Sequence, residues 1–201
     1  MKKFFAIILA ASMLLSFAAC GKTDDNNSNA GTSNVNSTED NKPVAEDSLA
    51  LLNKIWDGYA DDEKFAAAGG DYTEGNNVAD APGKFGIEDA AGIDSMLGFP
   101  EASVSKIDNA ASLLHMLNAN TFTGGAYHVK DSADVASLSE EIKTNILARH
   151  WMCGFPEKLV IFNIDDYIIS AFGDGEIIEL FKQKTTSAYP SAKVYCEENI
   201  E

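Results

Sequence analysis

The sequence predicts an α+β domain in which helices pack on one face of a small, mostly antiparallel sheet. Three observations carry this. Apolar residues recur at helical spacing in three places: Leu51, Leu52, Ile55, Trp56 and Tyr59; Val135, Leu138, Ile142 and Ile146; Ile177, Ile178 and Phe181. Two runs rich in β-branched and aromatic residues, Lys158 to Ile164 and Tyr167 to Phe172, flank Asp165-Asp166 as the arms of a hairpin would. Glycine and proline separate these segments, and helices interleaved with a hairpin are the pattern of an α+β layer fold.

In chain order, the first helix begins near Asp47 or Ser48, either of which can cap its free N–H groups. Asp61 to Ala68 is expected to add a short helix, ended by Gly69-Gly70. Residues 71–92, rich in Gly, Asn and Asp, read as a long loop, and a structureless loop of that length hints at function. Asp108 to Asn118, with Leu113, Leu114 and Leu117, reads as a helix. A short strand follows at Ala126 to Val129, after the Gly124-Gly125 break. The longest predicted helix covers Ala133 to Cys153, capped by Asp131 or Ser132 and terminated by Gly154 and Pro156. After the hairpin, Gly173 to Gly175 precedes a helix that leaves at Pro190, and Ala192 to Glu197 makes a last strand.

The segment before this domain is of another kind. Lys2 and Lys3 precede an uninterrupted apolar or small-residue stretch from Phe4 to Leu15, and Ser16-Phe17-Ala18-Ala19 supplies a small-residue cleavage context directly before Cys20. The apolar stretch is shorter than the about 20 residues that a bilayer span needs. The pattern resembles the bacterial lipobox, with Phe17 where that family usually has leucine. The resemblance implies that residues 1–19 are a lipoprotein signal peptide and that Cys20 is alkylated with diacylglycerol. Two acyl chains hold a protein at a membrane where one would not. Residues 20–47 then form a lipidated tether of Asn, Ser, Thr, Asp and Gly, too polar to offset its ordering entropy and predicted to be disordered. About 27 residues of such a coil reach roughly 30 Å. Residues 48–201 form a single globular domain, and the expected location is the extracytoplasmic side of the cell membrane.

The domain's C-terminal part, from about Ala126, resembles a family of unknown function found in lipoproteins of Clostridia-type bacteria. The resemblance lies in Trp151-Met152-Cys153-Gly154-Phe155-Pro156, Lys158-Leu159-Val160-Ile161 and Ile168-Ile169-Ser170-Ala171-Phe172-Gly173. It brings no activity with it, and implies only location and fold class.

Charge limits the partners. The formal net charge is −16, and loss of Lys2 and Lys3 on cleavage makes it more negative by two. Nucleic acid, bound mainly through lysine and arginine on phosphates, is not an expected partner. The lipid on Cys20 has to provide the membrane contact, because anionic headgroups repel such a chain. An envelope protein or a small ligand remains as partner.

Candidate chemistry is thin. His150 and Cys153 would share one face of the predicted helix as a nucleophile–base pair, but a helix C-terminus disfavours a thiolate. Cys153 and Cys196 are candidates for a disulfide, closing a loop of about 44 residues and worth about 4 kcal/mol, or else pack as two buried thiols. Asp61, Asp62, Asp71, Glu74, Asp80, Glu88 and Asp89 make the loop acidic, without the spacing of a calcium loop. Asp165-Asp166 reads as a turn. His115 and His128 stand isolated, and Trp151 falls off the apolar stripe of its helix, placed either to pack on Phe155-Pro156 or to face a partner. No phosphate-binding glycine loop, Gly-x-Ser-x-Gly elbow or His-Glu-x-x-His motif is present, so no cofactor or metal is expected. The sequence therefore reads as a non-catalytic binding or accessory module of the envelope. The alternative is an envelope hydrolase using acidic-loop carboxylates or the His150–Cys153 region.

Overall fold

The computed structural model describes residues 43–152 and 154–200. The expected signal peptide, Cys20, the expected tether up to residue 42 and Cys153 lie outside the described residues. The described residues form one compact unit.

Helix α1, Ser48–Trp56, forms where expected. The Asp47 carboxylate accepts from the Ala50 N–H at 2.7 Å, and Leu51, Leu52, Ile55 and Trp56 are buried. The tether was expected to run to residue 47, but its last residues are docked. Val44 and Ala45 pack against the core, and the Tyr167 hydroxyl donates to the Ala45 carbonyl at 3.4 Å.

Eight strands form one sheet: β1 Ala67–Gly69, β2 Val78–Ala79, β3 Gly83–Phe85, β4 Ile107–His115, β5 Phe122–Val129, β6 Lys158–Ile164, β7 Tyr167–Gly173 and β8 Lys193–Asn199. Their order is β2-β1-β4-β5-β7-β6-β8, with β3 also paired to β4, and every pairing among the described residues is antiparallel. The α+β class and the antiparallel sheet are as the sequence predicts. So is the hairpin, whose turn places Asp165 at φ +51°.

The helices, expected on one face, occupy both. Leu159 and Ile161 of β6 point to the side covered by α2 (Ala90–Leu97) and α3 (Val135–Leu147). Val160, Phe162 and Ile164 point to the side covered by α1 and α4 (Gly175–Ala188). A strand buried on both faces has no polar positions to alternate with. The unbroken run Leu159-Val160-Ile161-Phe162 carries that information, and β7 is buried at all of its positions.

Five local expectations are corrected. Asp108 to Asn118 is not a helix: Ile107–His115 is strand β4, held by β5 on one side and by β1 and β3 on the other. Ala110, Ala111, Leu113 and Leu114 are good helix formers, and strand pairing with burial overrides that weak preference. Leu117 lies beyond the strand and is 82% exposed.

Asp61 to Ala68 is not a helix either, since its end enters β1. Gly69 is required there because a Cβ on it would lie 2.0 Å from the Gly83 nitrogen, where β1 and β3 approach. The 71–92 loop is broken by β2 and β3, and α2 begins at Ala90 on the Asp89 carboxylate.

Gly124-Gly125 does not interrupt the chain but sits inside β5. A Cβ on Gly125 would lie 2.2 Å from the Tyr127 hydroxyl, so glycine there makes room for a buried tyrosine.

The long helix is shorter than predicted. A 3-10 turn at Ser132–Asp134 precedes α3, which ends at Leu147 with Ala148 as its cap. Gly154 and Pro156 are too far downstream to stop it. Beyond it, Arg149 donates to the Asp94 and Ser95 carbonyls and Trp151 packs on Phe172.

Candidate functional site

The C-terminal ends of β4 and β7 and the start of β5 meet at one end of the sheet. The connections 116–121 and 148–157 converge there with the segment after β1. Between them lies a cavity of about 440 Å³, lined by apolar surface from Met96, Leu114, Met152 and Phe172, by Trp151 and by Tyr72. Its size falls in the range of roughly 300–1,000 Å³ usual for small-molecule sites.

Trp151 is half-buried and packs on Phe172 with ring centroids 5.2 Å apart and planes tilted by 52°. Its indole Nε1 is buried without a hydrogen-bond partner. Arg149 enters from just beyond α3. Its guanidinium lies 5.4 Å over the Trp151 ring and 6.0 Å over Phe172, a cation over two aromatic faces. One terminal nitrogen, Nη2, donates to the Asp94 carbonyl at 3.2 Å and to the Ser95 carbonyl, where the last carbonyls of α2 collect partial negative charge. Burial pulls the Arg149 pKa down, opposed by Asp94 and Tyr127, and a group that begins so far above neutrality stays charged. Asn145, on the last turn of α3, ties the same two helices together through Asp94 and Gly98.

Asn120 closes the other wall. Its side-chain amide donates to the carbonyls of Met152 at 3.1 Å and Gly154 at 3.0 Å, joining the β4–β5 connection to the stretch beyond α3. Thr123 donates to Ala119 across the same turn. Tyr72 is 60% exposed on the rim and sits at φ +63°, a left-handed conformation uncommon for a residue with a side chain. Asp71 holds it there. The Asp71 carboxylate accepts from the Thr73 N–H and hydroxyl, the Asn76 amide and the Gly86 N–H. Burial would raise the Asp71 pKa, but those donors outweigh it and bring the group down to about 2.

No family model matches this sequence, and no match was found to a curated protein or to a solved structure.

The sequence candidates fall in different places. His150 lines the cavity and is exposed, but it is not on a helix, so the one-face geometry proposed for His150 and Cys153 does not arise. Cys153 lies outside the described residues. Cys196 is on β8 with a free, half-buried thiol that burial pushes up to about 11, opposite to an activated nucleophile. Of the acidic loop, Asp71, Glu88 and Asp89 line one small pocket, where Asp71 serves as a staple and Asp89 as a helix cap. Among the described residues no group of three or more His, Cys, Asp or Glu is placed to hold a metal.

His128 is not isolated. Its Nδ1 lies 2.7 Å from Asp108 and its Nε2 3.1 Å from Asp166, so it clamps β4, β5 and the hairpin turn at the end of the sheet opposite the cavity. His115 stacks on Phe65. Trp151 packs on Phe172, not on Phe155-Pro156.

Sequence reasoning singled out Trp151 and His150 but missed Arg149, Phe172, Tyr72 and Asn120. One signal was available. Arg149 is the only arginine in a chain whose other strongly basic residues are all lysine. Neither the groove of about 600 Å³ beside α3 nor the acidic pocket of about 220 Å³ beside Asp71 combines a cation with aromatic surface.

Proposed function

We infer that the protein is a membrane-anchored extracytoplasmic lipoprotein whose folded part is a non-catalytic binding module of the cell envelope. The cavity beside Trp151 carries the reading. It is concave, with aromatic rings and thioethers on one part of its wall and Ser95, Asn120, Thr123, Arg149 and His150 on the rest, a mixture suited to a small ligand with a polar and an apolar end. A hydrolytic centre needs an acid and a base converging on a water-sized gap, whereas the lining residues offer His150 and no carboxylate. The Cys20 context supports the anchor. Among the described residues no helix is long and apolar enough to cross a membrane.

Geometry also suits a tethered binder. The chain enters the fold near Ala45, beside Tyr167, while the cavity opens near Leu114, Thr123 and Phe172 at the other end of the same strands.

Detergent phase partition tests the anchor. The native chain is expected in the detergent phase with acyl mass on an N-terminal Cys20, and Cys20→Ser in the aqueous phase. Native chain in the aqueous phase, unacylated and starting elsewhere, overturns the anchor. Native mass spectrometry of protein released gently from its own envelope tests the cavity. A bound small molecule that is lost in Trp151→Ala is the expected result.

A further inference from the structure

We propose that the cavity binds a small organic anion, a carboxylate joined to a flat apolar body, with the carboxylate on Arg149 and the body against Trp151 and Phe172. This rests on the cavity being a binding site and adds the chemistry of its occupant.

A guanidinium carries five N–H groups in a rigid fork and no acceptor. Arg149 uses Nη2 on the Asp94 and Ser95 carbonyls, and among the described residues nothing accepts from its Nε or Nη1. Among the described residues it forms no ion pair, and the Asp94 carboxylate favours its charge only from a distance. The two α2 carbonyls and the aromatic faces fix the fork without neutralising it. An anionic acceptor completes it, and hydrogen bonds between ionised groups are about twice as strong as neutral ones.

The chain has 31 aspartate and glutamate residues, and none lines this cavity. A molecule so acidic repels anions at long range, so it does not collect them on its surface without a local cation. The one arginine supplies that cation beside the apolar wall.

Trp151 and Phe172 offer tilted ring surfaces 5.2 Å apart, Met96 and Met152 offer adaptable thioethers, and Tyr72 stands at the rim. Such a wall favours a planar or branched apolar group of modest size. A bare inorganic anion would leave it uncovered.

Titrating the whole chain in detergent micelles with three probes tests this: 3-phenylpropionate, its neutral amide, and acetate. The readout is the indole signal of Trp151 and the Nε–H signal of Arg149 in ¹⁵N-resolved spectra. The acid is expected to shift both signals saturably, and to bind about tenfold or more tightly than either the amide or acetate. Arg149→Gln should lower the acid to the affinity of the amide. Arg149 also holds α2, so the acid–amide comparison on the native chain, which needs no variant to fold, decides the matter by itself. Equal affinity for acid and amide overturns the anion while leaving the cavity as a binding site. Acetate binding as tightly as the acid overturns the apolar half. No saturable shift at Trp151 with any probe overturns the proposal and the cavity reading together.

Discussion

The Asn120 side-chain amide donates to the Gly154 carbonyl at 3.0 Å, and with its second bond to Met152 it joins two connections that are 34 and 32 residues apart in sequence. The wall of the cavity thus depends on one amide group rather than on a secondary-structure element. Met152 is 79% exposed and Phe155 is 74% exposed, so apolar burial adds little on this side.

Asn120→Ala should therefore loosen the 150–156 segment while the sheet remains. A cost of roughly 1–2 kcal/mol is expected from two lost hydrogen bonds. Near-ultraviolet circular dichroism should lose the signal of an ordered Trp151, with the far-ultraviolet spectrum unchanged. An unchanged tryptophan signal would mean that the staple is redundant.

His128 predicts a pH dependence. Burial alone would favour the neutral ring, but the Asp108 and Asp166 carboxylates outweigh it and raise the pKa above the ordinary 6.5. The folded state then holds the proton more tightly than the unfolded chain. Its contribution is complete below about pH 6.5 and is lost as pH rises through the folded value. Between about pH 5.5 and 8.5 the native chain should lose stability, and His128→Gln should lose less over the same interval. Urea unfolding at the two pH values measures both slopes, and equal slopes would remove the clamp from the account.

Tyr72 predicts a gain in stability. Its left-handed backbone costs roughly 1–2 kcal/mol for a residue with a side chain, and glycine adopts it freely at an entropic cost in the unfolded chain. With the ring 60% exposed, little packing is lost. Tyr72→Gly should leave the urea midpoint unchanged or raise it, whereas the same change at a conventional backbone position lowers it. A clear fall would show that the ring is held by contacts at the rim.

Three of the four helices' buried faces, the hairpin and the last strand were legible because each is a local pattern. Leu51, Leu52 and Ile55, or Val135, Leu138, Ile142 and Ile146, declare a helical stripe without knowledge of what covers it. Asp47 as a cap and Asp165-Asp166 as a turn follow from chemistry within a few residues. The acidic balance and the small-residue context before Cys20 are likewise properties of the sequence alone.

Tertiary structure decided what neighbours impose. Ala110 to Leu114 became a strand because β5 on one side and β1 and β3 on the other supplied hydrogen bonds that no helix preference could match. Helices came to cover both faces because the central strands had no polar side to give to water. The cavity belongs to the same class. Tyr72, Asn120, Arg149 and Phe172 stand far apart along the chain, and pairing of β4, β5 and β7 brings them to one end of the sheet. A local pattern reports which side chains want burial; only the long-range pairing of strands fixes which of them meet.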